Sequence, residues 1–151
     1  MSMQKVFHFD CPRELYVADA AVVWCFDNRC NLVLGKFLRR LGIEKSDRIM
    51  VAGGAKCLAS PGDDPDREFV LKQIRISMAL HQTRRVVLML HSDCGAYGGL
   101  AAFGDDARVE AEKQAEELRR ARVALRGVFP ELQVESYFVD FEGVWAVASN
   151  E

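Results

Sequence analysis

Short apolar runs alternate along this chain with longer segments in which apolar residues recur every three or four positions. The runs at 20–25 and 86–90 contain no charged residue, a pattern typical of strands that are covered on both faces of a parallel sheet. More mixed runs of strand length lie at 48–52, 133–140 and 143–147. The pattern therefore predicts five strands, the last two of which flank a turn.

Three of the segments between these runs have the periodicity of amphipathic helices. The first spans residues 32–41, and Asn31 is in position to cap its first turn. A loop at 60–64 leads into the second, which begins with proline and covers 65–81. The third and most amphipathic helix covers about 107–128. Its predicted apolar stripe consists of Ala111, Ala115, Leu118, Leu125 and Phe129.

Strands and helices in alternation are typical of α/β domains, in which helices connect parallel strands. At 151 residues the chain has the length of one ordinary domain. We therefore predict a single α/β domain with a mainly parallel central β-sheet flanked by helices. The domain is expected over residues 18–151, and residues 1–17 are expected to form an N-terminal arm.

Composition and charge narrow the range of functions. Half of the residues are hydrophobic and 28% are charged, as in globular proteins. The formal net charge is -2 and basic residues are interspersed with acidic ones, so no nucleic acid partner is expected. No apolar stretch has the length of a membrane span, so no membrane partner is expected either. The five cysteines are an odd number without the pattern of a secreted domain, and we expect a cytoplasmic protein.

Two short clusters carry the candidate chemistry. Cys25, Asp27 and Arg29 lie at the end of the first charge-free run, and His91 and Cys94 follow the second. The carboxyl ends of parallel strands meet at one edge of a sheet, where α/β proteins bind their ligands. We therefore expect the two clusters to be neighbours in space, although they are remote in sequence.

Together the two clusters offer thiolate, imidazole and carboxylate groups, a ligand set that suits zinc. Cys25 and Asp27 are two residues apart and share a face while the chain stays extended. His91 and Cys94 are three residues apart, a spacing that lets both reach one ion in a turn. The two thiolates and the imidazole are three good zinc ligands, which leaves one coordination position open, as in catalytic zinc sites. The sequence therefore indicates a catalytic metal centre.

The pair of motifs resembles the signature of the β-class carbonic anhydrases. The first motif, CxDxR, is Cys25-Phe26-Asp27-Asn28-Arg29, and the second, HxxC followed by glycine, is His91-Ser92-Asp93-Cys94-Gly95. The order of the predicted elements from about residue 18 to residue 147 is similar to that of the compact members of this family. The resemblance covers most of the chain and implies a β-carbonic-anhydrase-like fold.

What the resemblance implies is a carbonate dehydratase, an enzyme that reversibly hydrates carbon dioxide to bicarbonate. It implies a Zn2+ ion held by Cys25, His91 and Cys94, with Asp27 and Arg29 as a catalytic pair beside the open position. In some members of the family the aspartate itself is a fourth ligand in a closed resting form. The resemblance also implies a homodimer or a higher homo-oligomer.

The residue types make chemical sense of this assignment. Zinc lowers the pKa of bound water from about 16 to roughly 7, so that a zinc-bound hydroxide can attack carbon dioxide at neutral pH. An ionised Asp27 can accept the hydrogen bond of that hydroxide and orient its attack. Arg29 can hold the carboxylate ionised and oriented by bidentate pairing. The sequence names no proton carrier.

Structural interpretations stay open for the individual residues. Cys25 alone would be read as an inert buried thiol, and Asp27 with Arg29 as a surface ion pair, but the joint pattern favours a zinc site. Other residues are interpreted as structural: Asp93 as the cap of a turn, Cys30 and Cys57 as packing residues, His81 as a partner of the last carbonyls of its helix, and His8, Asp10 and Cys11 as part of a flexible or docking arm.

Two other functions stay open as well. Phe26 and Asn28 stand where many members of the family carry small residues, and an altered pocket would favour a hydrolase of carbonyl sulfide or carbon disulfide. A non-catalytic zinc-binding module would instead keep its metal closed by Asp27 or Cys30 at every pH. Arg29 favours the enzyme, because a closed structural site has little need of a cation that draws the carboxylate away from zinc.

Overall fold

The computed structural model describes residues 2–59 and 64–149. Within these residues the chain forms five strands and four α-helices in the order β1 (Ala20–Trp24), α1 (Asn31–Arg40), β2 (Ser46–Met50), α2 (Lys56–Ala59), α3 (Pro65–His81), β3 (Arg85–His91), α4 (Ala107–Val128), β4 (Gln133–Val139) and β5 (Val144–Ala146). The predicted loop at 60–64 lies outside the described residues, except for its last residue.

The strands form one sheet in the order β2-β1-β3-β4-β5. β1 pairs in parallel with β2 and with β3, and β3 pairs in parallel with β4. The short β5 is antiparallel to β4, to which a tight turn connects it. The prediction of a single α/β domain with a mainly parallel central sheet is confirmed.

Helices cover both faces of this sheet. Leu34 and Leu38 of α1 pack on one face together with Trp24 of β1. On the other face, Ile74 of α3 and Leu118 of α4 belong to a larger core that also includes α2. Every residue of β1 is buried between the two layers, which explains its charge-free sequence. Within the described part of the chain, no helix has both the length and the apolar character of a membrane span.

Local differences from the prediction have physical causes. β2 begins and ends two residues earlier than predicted, because an edge strand tolerates the polar residues with which it starts. Asn31 is the first residue of α1 and not its N-cap. The Asp27 carboxylate instead accepts a hydrogen bond from the Arg29 amide and starts a short 3-10 turn that continues into α1. The four-residue α2 was not predicted.

The chain before β1 is tied to the domain at Tyr16. The Tyr16 hydroxyl donates a hydrogen bond of 2.5 Å to the Asp47 carboxylate, and its ring centroid lies 4.0 Å from that of His81. The Nδ1 atom of His81 lies 2.7 Å from the same carboxylate. The prediction that His81 contacts the last carbonyls of its helix is therefore wrong. Residues 2–15, ahead of this anchor, are exposed.

Candidate metal centre

Two neighbouring strands bring the predicted ligands together. Cys25 directly follows β1, His91 is the last residue of β3, and the two strands are adjacent and parallel. Cys94 lies three residues further along, in the turn after β3. The ligand atoms of these three side chains all lie within 4.8 Å of one another, and each residue is buried. The two motifs are therefore neighbours in space, at the carboxyl edge of the sheet.

The turn after β3 is shaped by Asp93. Its backbone adopts a φ of 56°, in the left-handed region, which reverses the chain between His91 and Cys94. Its Oδ1 atom accepts a hydrogen bond of 2.8 Å from the amide of Leu100. The prediction that Asp93 caps the turn is confirmed.

Gly54 allows the segment after β2 to approach the two ligand-bearing strands. Its φ is 53°, and a Cβ atom at this position would lie 2.6 Å from the Met89 carbonyl oxygen and 3.0 Å from the Cys25 amide nitrogen. A side chain at this position would therefore clash with the backbone of both β3 and the Cys25 segment. The glycine therefore lets this loop pack against the backbone that carries Cys25.

The hydrogen bonds of His91 leave one ring nitrogen available to a metal. Nδ1 lies 2.8 Å from the carbonyl oxygen of Ser92, so it carries the proton and donates to that oxygen. Nε2 is buried and has no hydrogen-bond partner among the described residues. A buried nitrogen lone pair beside two thiols is what a metal site requires, so the residues present fit a zinc ion.

The two thiols of the cluster ionise unequally. The neighbouring Cys94 lowers the pKa of the Cys25 thiol well below its ordinary value, although burial acts in the opposite direction. The pKa of Cys94 is raised, because the Cys25 sulfur lies beside it and because burial disfavours a second charge. A divalent cation bound between them would stabilise both thiolates at once.

Asp27 lies beside this cluster and is held by Arg29. The Arg29 Nη2 atom donates to Asp27 Oδ2 at 2.7 Å, and Nε lies 3.1 Å from Oδ1. This pairing lowers the pKa of the Asp27 carboxyl to about 2. The Oδ2 atom lies 4.0 Å from Nε2 of His91. The structure therefore places an ionised, oriented carboxylate next to the three candidate ligands.

Arg29 also connects the two motifs, a role that the sequence did not reveal. Its Nη1 atom donates to Asp93 Oδ2 at 3.0 Å, and Nη2 donates to the Asp93 carbonyl oxygen at 3.0 Å. The Phe141 ring centroid lies 5.6 Å from the guanidinium carbon. One guanidinium thus fixes both the Asp27 carboxylate and the turn that carries Cys94.

Glu110 of α4 is a residue of the site that sequence reasoning missed. Its carboxylate accepts hydrogen bonds from the Ser92 hydroxyl and, at 2.8 Å, from the Asp93 amide. The buried stripe of α4 runs through Glu110, Gln114 and Leu118, and is rotated from the predicted one. Steps of four residues backwards from Leu118 would have found both polar residues.

The remaining predicted residues lie away from the cluster or pack beside it. Cys30 and Cys57 lie in the two hydrophobic cores, as predicted. Burial raises the pKa of Cys57 to about 11, which keeps it a neutral thiol. In the exposed arm, His8 Nε2 lies 3.5 Å from an Asp10 oxygen.

The fold and this cluster place the molecule in the structural class of the β-carbonic anhydrases. Its structure is similar to β-carbonic anhydrase isoform I from Trichomonas vaginalis, with a TM-score of 0.62 and 12% identity over 95% of this chain and 90% of that one. It is also similar to the carbonic anhydrase from Glaciozyma antarctica, with a TM-score of 0.59 and 20% identity over 89% and 85% of the two chains. A tetrameric β-carbonic anhydrase from Sordaria macrospora has a TM-score of 0.51 and 17% identity over 88% and 82%.

The chain belongs to the family described as "Putative carbonic anhydrase", whose sequence pattern it matches over residues 17–149. An uncharacterized protein from Rickettsia bellii is 27% identical to it over 135 residues, which are 87% of this chain and 82% of that protein. The resemblance that the two motifs predicted is confirmed. Family and fold together support a carbonic anhydrase-like enzyme with a cluster that could hold a metal.

Proposed function

We propose that this protein is a zinc-dependent carbonic anhydrase that catalyses the reversible hydration of carbon dioxide to bicarbonate. One observation carries the proposal. The Asp27 carboxylate is held by Arg29 at 4.0 Å from Nε2 of His91, a buried nitrogen without a partner among the described residues. A protein that only binds a metal does not need a hydrogen-bond acceptor that is held in a fixed orientation beside the metal ligands.

Cys25, His91 and Cys94 would hold the zinc ion. When bound, zinc would supply a Lewis acid that makes water a nucleophile at neutral pH. His91 contributes Nε2 because its Nδ1 atom is committed to the Ser92 carbonyl oxygen. The site needs both thiols reduced, which supports the cytoplasm as the location that we propose for this protein.

Asp27 would orient the attacking oxygen by accepting its hydrogen bond. A carboxyl group with the ordinary pKa of 3.8 is protonated in only about one molecule in a thousand at pH 7. Arg29 is therefore not needed to ionise Asp27 in neutral solution. Its contribution is geometric: paired contacts to both carboxylate oxygens fix the direction in which the remaining lone pairs point.

Stopped-flow hydration of carbon dioxide by zinc-quantified protein tests the proposal. We expect hydration activity in proportion to bound zinc, with a rate that rises between about pH 6 and about pH 9 as the nucleophile loses its proton. Cys94→Ser is the control, because it replaces one soft ligand by a poor one and should lose most of the metal together with the activity.

The outcome of this assay distinguishes the proposed reaction from the two alternative functions. Stoichiometric zinc without hydration at any pH would contradict the proposed reaction, and the next assays would use carbonyl sulfide and carbon disulfide. If these too were left unchanged, the protein would be a non-catalytic zinc module. Hydration that survives removal of the zinc would contradict the metal mechanism itself.

We also propose that residues 1–17 form an arm ahead of the domain at 18–151, and that this arm packs on a second copy in a homodimer or higher homo-oligomer. Five large apolar side chains of the arm are 70% to 96% exposed, and burying them against a second copy would remove their apolar surface from water. These side chains belong to Met3, Val6, Phe7, Phe9 and Leu15. Sedimentation velocity should show an oligomer for the full chain and a smaller species when residues 2–12 are deleted. A monomeric full chain at micromolar concentration would refute the assembly.

A further inference from the structure

Glu110 is a fully buried carboxylate in the first turn of α4, with 0% of its surface exposed. Burying a carboxylate is unfavourable unless hydrogen bonds replace its water, so its partners show what it does. Both of its described side-chain hydrogen bonds come from the turn after β3. The Ser92 hydroxyl donates to Oε1, and the Asp93 amide donates to Oε2 at 2.8 Å.

The two donors occupy the whole interval between the candidate ligands. Ser92 and Asp93 are the only residues between His91 and Cys94. Glu110 therefore holds the turn through the Ser92 side chain and the Asp93 backbone amide, at the point where Asp93 adopts its left-handed conformation. Its position near the N-terminus of a 22-residue helix favours the negative charge.

We propose that Glu110 is a positioning residue that sets the relative placement of the His91 and Cys94 ligand atoms. The inference rests on the proposed metal site. By fixing Asp93, the same contact also holds the carbonyl oxygen that accepts from Arg29 Nη2 at 3.0 Å. One buried carboxylate thus supports both the metal-binding turn and the guanidinium that orients Asp27.

Two substitutions of Glu110 distinguish the effect of its hydrogen-bond geometry from the effect of its charge. Glu110→Ala removes both acceptors. Glu110→Gln removes the charge but keeps both contacts, because its amide oxygen can accept from the Asp93 amide while its amide nitrogen donates to the Ser92 hydroxyl, which rotates. Glu112→Ala is the matched control: it lies half a turn away on the same helix, and its side chain is 71% exposed.

Zinc affinity, measured by chelator competition, and the visible absorption spectrum of the cobalt-substituted protein are the readouts. We expect Glu110→Ala to bind zinc tenfold to a hundredfold more weakly, a range of about 10–100-fold being usual for lost support behind a ligand. Its cobalt spectrum should change in position and intensity. Glu110→Gln should stay within about threefold of the wild type, and Glu112→Ala should match it.

The inference is overturned if Glu110→Ala retains the affinity and the cobalt spectrum of the wild type, or if Glu110→Gln is as weak as Glu110→Ala. If Glu110→Ala fails to fold, as judged by circular dichroism of the metal-free protein, Ser92→Ala takes its place. Ser92→Ala deletes the hydroxyl that donates to Glu110 and so removes one of the two hydrogen bonds. An unchanged cobalt spectrum in this variant would again overturn the inference. A wild type that binds no zinc would instead refute the proposed function.

Discussion

Asp27→Asn should bind zinc as tightly as the wild type and hydrate carbon dioxide roughly 100–1,000-fold more slowly. Arg29 donates to both carboxylate oxygens of Asp27. An asparagine has one carbonyl oxygen for these donors, and its amide group would present hydrogens where the nucleophile needs an acceptor. Because the pKa of Asp27 is about 2, the carboxylate is ionised throughout the neutral range. The loss of rate should therefore extend over all pH values from about 6 to about 9.

A matched carboxylate elsewhere controls for the change of charge. Asp105 is exposed and lies in the left-handed region with a φ of 56°, a conformation that asparagine tolerates well. Asp105→Asn should hydrate carbon dioxide at the wild-type rate. Equal turnover by zinc-replete Asp27→Asn and wild type would remove Asp27 from the mechanism while leaving the metal site in place.

The parts of this molecule that the sequence predicts are those set by continuous local patterns. β1 and the 86–90 part of β3 contain no charged residue because helices cover both faces of the sheet, so their burial can be read directly from the sequence. The helix predicted at about 107–128 has these bounds in the structure, because its amphipathic pattern is strong, although its buried stripe is rotated from the predicted one. The proximity of Cys25 to His91 followed from topology alone, since parallel strands align their carboxyl ends.

What the sequence could not show depends on partners distant in the chain. Glu110 lies on the buried stripe of α4. From sequence alone, a polar residue of an amphipathic helix is assigned to the solvent-exposed face unless its hydrogen-bond partner is known. The partners of Glu110 are 17 and 18 residues away. The second bond of Arg29, to Asp93, spans 64 residues. His81 was assigned to its own helix end, whereas it pairs with Asp47 from β2. Hydrogen bonds between residues so distant in the chain leave no periodic pattern in the sequence.

The geometric role of Arg29 leads to the second large effect. Arg29→Gln should bind zinc at least as tightly as the wild type but hydrate carbon dioxide roughly a hundredfold more slowly. Without the guanidinium, the Asp27 carboxylate remains ionised at pH 7, because its ordinary pKa is 3.8. It is then free to turn toward the cluster, where its Oδ2 atom already lies 4.0 Å from His91 Nε2, and to become a fourth metal ligand.

Cobalt substitution distinguishes this closed site from an open one that has merely lost its orientation. In Arg29→Gln the visible spectrum should be independent of pH between about pH 6 and about pH 9, because a carboxylate replaces the titrating water. In Arg29→Gln combined with Asp27→Asn, the neutral amide is a poorer ligand, so the pH dependence should return while activity stays low. A pH-dependent spectrum in Arg29→Gln alone would mean that Asp27 does not close the site. Arg29 would then act on the turn at Asp93, to which two of its nitrogens donate at 3.0 Å, rather than on the carboxylate.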